Sequence, residues 1–411
     1  MMRRYLVVIV IMLMAGSIRA EDWPRYRGPE GNGISKETGL LKAWPAGGPK
    51  LLWSAPLGIG YSSVAVAAGR VFTMYQDGQG QWVAAFNEKS GDLLWKTQTG
   101  PIYRDREGWH GTRATPTVEG ERVWVNDSNG IAACLNVADG KVIWKKNILE
   151  IAGNTVPRDK WWGMAQSPFV YRDLVVFNPG GDKGAAFLAL NKNTGAVAWK
   201  SGSDFPGYST PVISRAGGVE HLVFVDGTDL VGIRPVDGKI LWTAPWGSMN
   251  HLNAVSPIAW DDKVFISGGY VHGAMVVQLD MKNEANPARQ LWTTRAMQCY
   301  FHTPVKLGDC IYGYRMDDMV CIDTAGNLKW EDDNDDMPKM AQMTFADGLF
   351  YVLGEDGTLA LAQLTPAGCR KISEFVFSEG ESRWAAPVVA NGRLFLRDEK
   401  KLYCYDVKAL K

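Results

Sequence analysis

Ala189-Leu190-Asn191-Lys192-Asn193-Thr194-Gly195-Ala196-Val197-Ala198-Trp199 is an apolar run, a polar turn ending in glycine, and a second apolar run that closes on tryptophan. That order reads as a β-hairpin with a bulky terminal anchor, because glycine supplies the backbone freedom a tight turn needs and the apolar runs suit a pleated, half-buried strand. The pattern recurs. Ala85-Phe86-Asn87 leads through Ser90-Gly91 to Trp95, Cys134-Leu135-Asn136 through Asp139-Gly140 to Trp144, and Gly232-Ile233-Arg234 through Asp237-Gly238 to Trp242. Later copies close on Trp292 and Trp330, and Phe375 takes the anchor's place in the next.

A fixed repeat overrides any domain count based on length alone. After a first unit running from Tyr61 to Trp95, copies open at Thr115-Pro116, Ser167-Pro168, Thr210-Pro211, Ser256-Pro257 and Thr303-Pro304, then more loosely at Met343-Thr344 and Ala386-Pro387. In the first copy, Gly and Asp turns separate four short apolar segments, which makes one antiparallel sheet per copy. The last copy, 386–406, has room for three strands, whereas Leu51-Leu52-Trp53 repeats the closing end of the motif without its beginning. The N-terminal strand is therefore expected to complete the last sheet. The expectation is an all-β, eight-bladed propeller of four-stranded antiparallel blades over 51–411, its ring closed by that strand; seven blades is the alternative count. Residues 21–50, which include Asp22-Trp23-Pro24-Arg25-Tyr26-Arg27-Gly28-Pro29, are expected to form an extended arm packed against it.

With 46% hydrophobic residues, 21% charged residues and a formal net charge of zero, the composition is that of a globular protein with ample core. It lacks the basic excess that nucleic-acid binding requires. Residues 1–20 read as a signal peptide: Arg3 and Arg4 precede the apolar run from Tyr5 to Ala15, and Ala20 ends a small-residue cleavage site. The run is shorter than the roughly 18 residues of a membrane span. Export to the periplasm or beyond is expected, as a soluble, monomeric chain without a transmembrane segment and without a cysteine near Ala20 to carry a lipid anchor. Cys134, Cys321 and Cys404 stand where other copies have alanine or glycine, and so read as small core residues. Cys299, Cys310 and Cys369 have no such place, and a Cys299–Cys310 bridge stays open.

The Ala-Leu-Asn, polar turn, Thr-Gly and Trp order resembles the repeat of the quinoprotein-like (PQQ-like) β-propellers, over nearly the whole chain after the arm. The resemblance implies that Trp53, Trp95, Trp144, Trp199, Trp242, Trp292 and Trp330 dock between neighbouring blades. The family it points to has an enzymatic branch of quinoprotein alcohol and sugar dehydrogenases, and a non-enzymatic branch typified by the BamB-like accessory protein of outer-membrane β-barrel assembly.

In a propeller, residues just before each inner strand converge on one mouth of the central channel. Here those positions, with their longer connectors, bring together Tyr61, Trp109, His110, Arg113, Trp161, Trp162, Gln166, Tyr208, His251, Asn253, Tyr300, His302, Gln342, Arg383 and Trp384. Singly, each reads first as packing; together they describe an aromatic opening suited to a carbohydrate, another polar ligand or a partner protein of the envelope. For the dehydrogenase branch the resemblance implies PQQ held over calcium, an aspartate base and commonly an adjacent cysteine pair. The ring is nearly free of carboxylates, Asp105, Glu107 and Asp159 lie in connectors, and no adjacent cysteines occur. No cofactor and no metal are expected, and no residue is assigned as catalytic. The expected function is a ligand- or protein-binding scaffold of the envelope. The alternative is a periplasmic enzyme acting on a carbohydrate or alcohol, either with PQQ or through His110, His251, His302 and Tyr208 as acid–base groups. The acidic run 331–336 reads as a solvated loop.

Overall fold

The computed structural model describes residues 21–105, 107–154, 162–247, 251–333, 336–378 and 384–409. The signal segment and the mouth candidates Trp161 and Arg383 lie outside the described residues.

The repeated hairpin is set by local chemistry. The Asn191 side-chain oxygen accepts from the amides of Asn193 and Thr194, both at 3.0 Å, while Gly195 takes φ +69°. This folds the turn from within four residues of sequence. A one-residue bulge then falls just before the anchor, so that Trp199 sits opposite Ala189 while Val197 sits opposite Leu190. The same slip places Trp95 opposite Ala85, Trp144 opposite Cys134, Trp242 opposite Gly232, Trp330 opposite Cys321 and Trp53 opposite Cys404. Under Trp242 the partner must be small because the indole lies across it: a Cβ on Gly232 would come within 2.1 Å of the indole nitrogen, whereas Trp292, with the same slip, sits opposite Val276. Cys134, Cys321 and Cys404 meet this need and are fully buried. All six thiols are free, so Cys299 and Cys310 form no bridge.

Eight sheets result, with an inner-to-outer strand order that follows the chain in the first seven: 65–100, 117–147, 169–201, 212–245, 258–294, 305–331 and 342–376 form blades 1 to 7. In blade 8 three strands between Val388 and Asp406 are joined by Lys50–Pro56, paired antiparallel to Lys401–Asp406. The two ends of the propeller thus share one sheet, which leaves no open edge at the seam.

Each anchor also ties its blade to the next. The indoles of Trp53, Trp95, Trp144, Trp199, Trp292 and Trp330 donate to the carbonyls of Glu88, Val137, Lys192, Pro235, Thr324 and Thr365, at 2.7–3.2 Å. Turn glycines of the following blade lie flat on these rings: a Cβ on Gly91, Gly140, Gly195 or Gly238 would stand 2.4–2.8 Å from the preceding tryptophan. Trp242 departs from the pattern. The turn after it, 280–287, has no glycine, and its indole donates instead to His221 Nε2 at 3.1 Å within its own blade. In blade 7 the anchor is Phe375, opposite the larger Leu359, and Gly48 from the arm supplies the missing turn glycine against its ring.

The Ser-Pro and Thr-Pro openings do separate work near the axis. Ser63 N–H donates to the Thr115 hydroxyl, Thr115 N–H to Ser167, Ser167 N–H to Thr210, Thr210 N–H to Ser256 and Ser256 N–H to Thr303, at 3.0–3.2 Å. Proline removes one donor at the next position, and the hydroxyl of the neighbouring blade satisfies the donor that remains.

The arm crosses the end of the channel opposite the mouth. Trp23 exchanges two backbone hydrogen bonds with Val66, Pro24 accepts from Val118, and the Arg25 guanidinium lies 5.4 Å from the Phe169 ring. From blade 3 the chain passes to blade 6, where Arg27 donates to Thr303 and Pro304 carbonyls at 2.8 Å. Ile34–Ser35 then adds a parallel strand to blade 7. Asp332, in the acidic run expected to be solvated, is buried and accepts from Met337 N–H; Asn334 and Asp335 lie outside the described residues. No helix among the described residues is long and apolar enough to cross a membrane.

Candidate functional site

At the mouth, the connectors before the inner strands form a cavity of about 330 Å³. Tyr61, Trp109, Arg113, Trp162, Tyr208, Tyr300, Gln342 and Trp384, all picked out from the sequence, line it, together with Phe301, Glu107, Tyr270 and Tyr26. Trp384 is central to one wall: its ring centre lies 4.6 Å from Tyr61 and 4.9 Å from both Trp109 and Phe301. Its indole is held by Glu355. On the other wall the Trp162 indole donates to Glu107 Oε2 at 3.2 Å and its ring meets Tyr208 edge-on at 6.3 Å. Tyr270 and Tyr300 pack edge-to-face at 4.9 Å. Rings fixed against one another present their remaining faces to a guest with little ordering left to do.

Arg113 is a bracket for this wall rather than a free cation. It pairs with the nearly inaccessible Asp105 carboxylate at 3.0 Å, donates to the Gly111 carbonyl at 3.0 Å and to that of Trp109, and lies between the rings of Tyr61 and Tyr103. Its charge is neutralised where it stands, and the connector bearing Trp109 is fixed by it. Burial holds the Tyr61 and Tyr208 phenols well above the ordinary tyrosine range, so both present neutral hydroxyls.

Several candidates belong to the frame. Gln166 donates to the Val176 carbonyl at 3.2 Å and accepts from Asn178 N–H, pinning its own blade. Asn253 donates to the carbonyls of Asp226 and Gly227. His251 stacks on Phe205 with ring centres 4.4 Å apart and its Nδ1 is 3.0 Å from the Gly227 carbonyl. His302 is buried edge-on against Tyr314, and burial pushes its imidazole down to about 3, which keeps it neutral. His110 stands outside the lining. No histidine is among the described lining residues of the cup, and of the four acid–base candidates Tyr208 alone lines it. Tyr26 and Tyr270 were not legible as members: the first arrives from the arm, whose aromatic and arginine content was the available signal, and the second from a strand-connecting turn.

Tyr26 also lines a second cavity of about 410 Å³ on the far side, between the arm and the inner strands of blades 3 to 5. With Ser167 and Thr210, which also line both, it marks where the two cavities adjoin. Elsewhere, Asp204, Asp226 and Asp229 bring carboxylate oxygens within 4.8 Å of one another. Burial, then the neighbouring Asp204, raises the Asp226 carboxyl, which favours a retained proton over a third charge. The cup itself contains one carboxylate among its described lining residues, Glu107. Calcium takes six to eight oxygen ligands, and this lining does not fit a quinone held over calcium.

The sequence profile described as outer membrane protein assembly factor BamB matches residues 33–158 and 79–325, most of the chain. The chain belongs to this family. BamB of Shewanella oneidensis is 29% identical over 158 residues, 37% of this chain and 36% of that protein, so the match spans about a third of the relative's length. Among solved structures, BamB of Moraxella catarrhalis superposes with TM-score 0.58 at 14% identity, covering 88% of this chain and 98% of that one. Quinohemoprotein alcohol dehydrogenase of Comamonas testosteroni gives 0.53 at 13% identity, over 97% and 82%. At such identities the two likenesses speak to the fold alone, and both carry the same propeller as this BamB-family chain.

Proposed function

We propose that this BamB-family chain is an exported, non-catalytic binding scaffold of the cell envelope that engages a partner protein at its aromatic mouth and works without a bound quinone. The observation that carries the reading is the composition of the cup: fixed tryptophan and tyrosine faces around one opening, with its arginine neutralised and no histidine in the lining. Aromatic side chains of this kind dominate protein-recognition hot spots because they bury large areas at low entropic cost. Relatives named as envelope assembly factors support the protein-binding class. The test is affinity capture from envelope extract with the wild-type chain and with Trp162→Ala and Trp109→Ala. The expected result is a defined, stoichiometric partner whose retention falls at least tenfold in both variants. Capture that ignores both substitutions would move the interface elsewhere. Adding PQQ and calcium is expected to leave the melting temperature unchanged and to give no dye-linked alcohol oxidation; a response in either would overturn the quinone-free reading.

A further inference from the structure

The cavity on the arm side shares Tyr26, Ser167 and Thr210 with the cup and differs from it in its cations, Arg25, Arg27 and Lys306. Ser167, Thr210 and Ser256 line its wall, and each of these hydroxyl oxygens already accepts an amide of the preceding blade. The position of each oxygen is thereby fixed, and its own O–H hydrogen donates to no acceptor among the described residues. Three cations join them. Arg25 spends its Nε and one Nη2 hydrogen on the Pro29 carbonyl, and Lys306 spends one hydrogen on the Gly308 carbonyl at 2.6 Å. Arg27 is 5% exposed and donates only to carbonyls, those of Asn32, Thr303 and Pro304 at 2.8–2.9 Å. None of the three pairs with a carboxylate among the described residues. The other charged groups of the lining are exposed at the rim and already matched, Arg215 with Glu220 at 2.9 Å and Glu30 with Lys36 at 3.2 Å.

Glu30 at the rim is the one carboxylate among the described lining residues, and with Glu119 it acts on Arg25; the buried Arg27 guanidinium pairs with no carboxylate among the described residues, a placement that is costly unless an anion completes it. Burial pushes Arg27 down to about 10, which still leaves it fully charged at neutral pH. The cavity of about 410 Å³ has room for a ligand of several heavy atoms.

We propose that this arm-side cavity is a binding site for a small oxyanion, of the phosphate, sulfate or carboxylate class, held by Arg25, Lys306 and the hydroxyls of Ser167, Thr210 and Ser256 over the buried charge of Arg27. The arm supplies two of the cations, so the site exists only while the arm lies across the channel. Nothing in this inference depends on what the aromatic mouth binds.

The test is isothermal titration of the full chain with inorganic phosphate, sulfate and citrate in separate arms, with sodium chloride at matched ionic strength as reference, and thermal melting in parallel. Saturable binding of at least one arm with a raised melting temperature is expected. Lys306→Gln, a half-exposed position, and Arg25→Gln are each expected to weaken that binding at least tenfold, and Thr210→Val severalfold. Arg215→Gln, at the rim, is expected to stay within twofold of wild type. Melting of the ligand-free variants shows whether each has folded. The arm that responds identifies the phosphoryl, sulfuryl or carboxylate form. If all three anions act no differently from chloride, or if Lys306→Gln and Arg25→Gln bind as wild type does, the proposal falls.

Discussion

At the residue scale, single polar atoms decide much of the axis. The Thr115 hydroxyl is the acceptor for Ser63 N–H, and both groups are buried. Thr115→Val keeps the shape and strands the amide, so a loss of about 1–3 kcal/mol is expected in denaturant unfolding, with Thr115→Ser close to wild type. His302 gives a pH-dependent counterpart. Its folded pKa is depressed to about 3 by burial, against about 6.5 when unfolded. Above pH 6.5 both states are neutral and the group has no effect. As pH falls from 6.5 toward 3 the unfolded state takes up a proton that the native state refuses, so stability declines by at most about 1.4 kcal/mol per pH unit from this group. Denaturant midpoints measured from pH 7 to pH 4.5 are expected to fall less steeply in His302→Phe than in wild type. Equal slopes would show that the imidazole finds a partner on protonation.

At the element scale, the hairpin with its bulge is the unit that the chain repeats, and the turn glycine is its most constrained position. Gly195 has φ +69° and its missing Cβ would lie 2.8 Å from the Trp144 ring. Gly195→Ala combines left-handed strain with overpacking, for an expected loss of about 2–4 kcal/mol. Gly120 has φ +58° and open space around it, so Gly120→Ala isolates the backbone share at about 1–2 kcal/mol. Comparing the two by thermal or denaturant unfolding separates the docking contact from the turn. Similar losses in both would mean that Trp144 yields to the methyl group. This element was legible in the sequence because everything it needs lies within a dozen residues: an Asn to bond the turn, a Gly to reverse it and a small residue to sit under the indole. The cysteines at 134, 321 and 404 were readable as packing for the same reason. Trp242 was not readable as an exception, since its partner His221 lies on a different strand of its own blade.

At the scale of the whole molecule, the chain closes on itself twice, once through Lys50–Pro56 in blade 8 and once through the arm across the channel. Removing both, with a chain that starts at Leu57, exposes the edge of Lys401–Asp406. Self-association in size-exclusion chromatography and a marked drop in melting temperature are expected. A chain starting at Lys50 keeps the closing strand and is expected to remain monomeric with a smaller drop. If the two behave alike, the arm rather than the strand holds the ring. The sequence by itself determined the blade and the closing strand and favoured eight blades over seven, because the repeat is local and its copies can be counted; it also named eight of the residues that line the cup. Only the tertiary structure decided which of those residues face the cup, that Arg113 is spent on Asp105, that His302 is sealed away, and that Tyr26 lines both cavities. The reason is physical: these outcomes depend on which side chains, as far apart in the chain as Tyr61 and Trp384, compete for the same space and the same donors, and no short stretch of sequence encodes that competition.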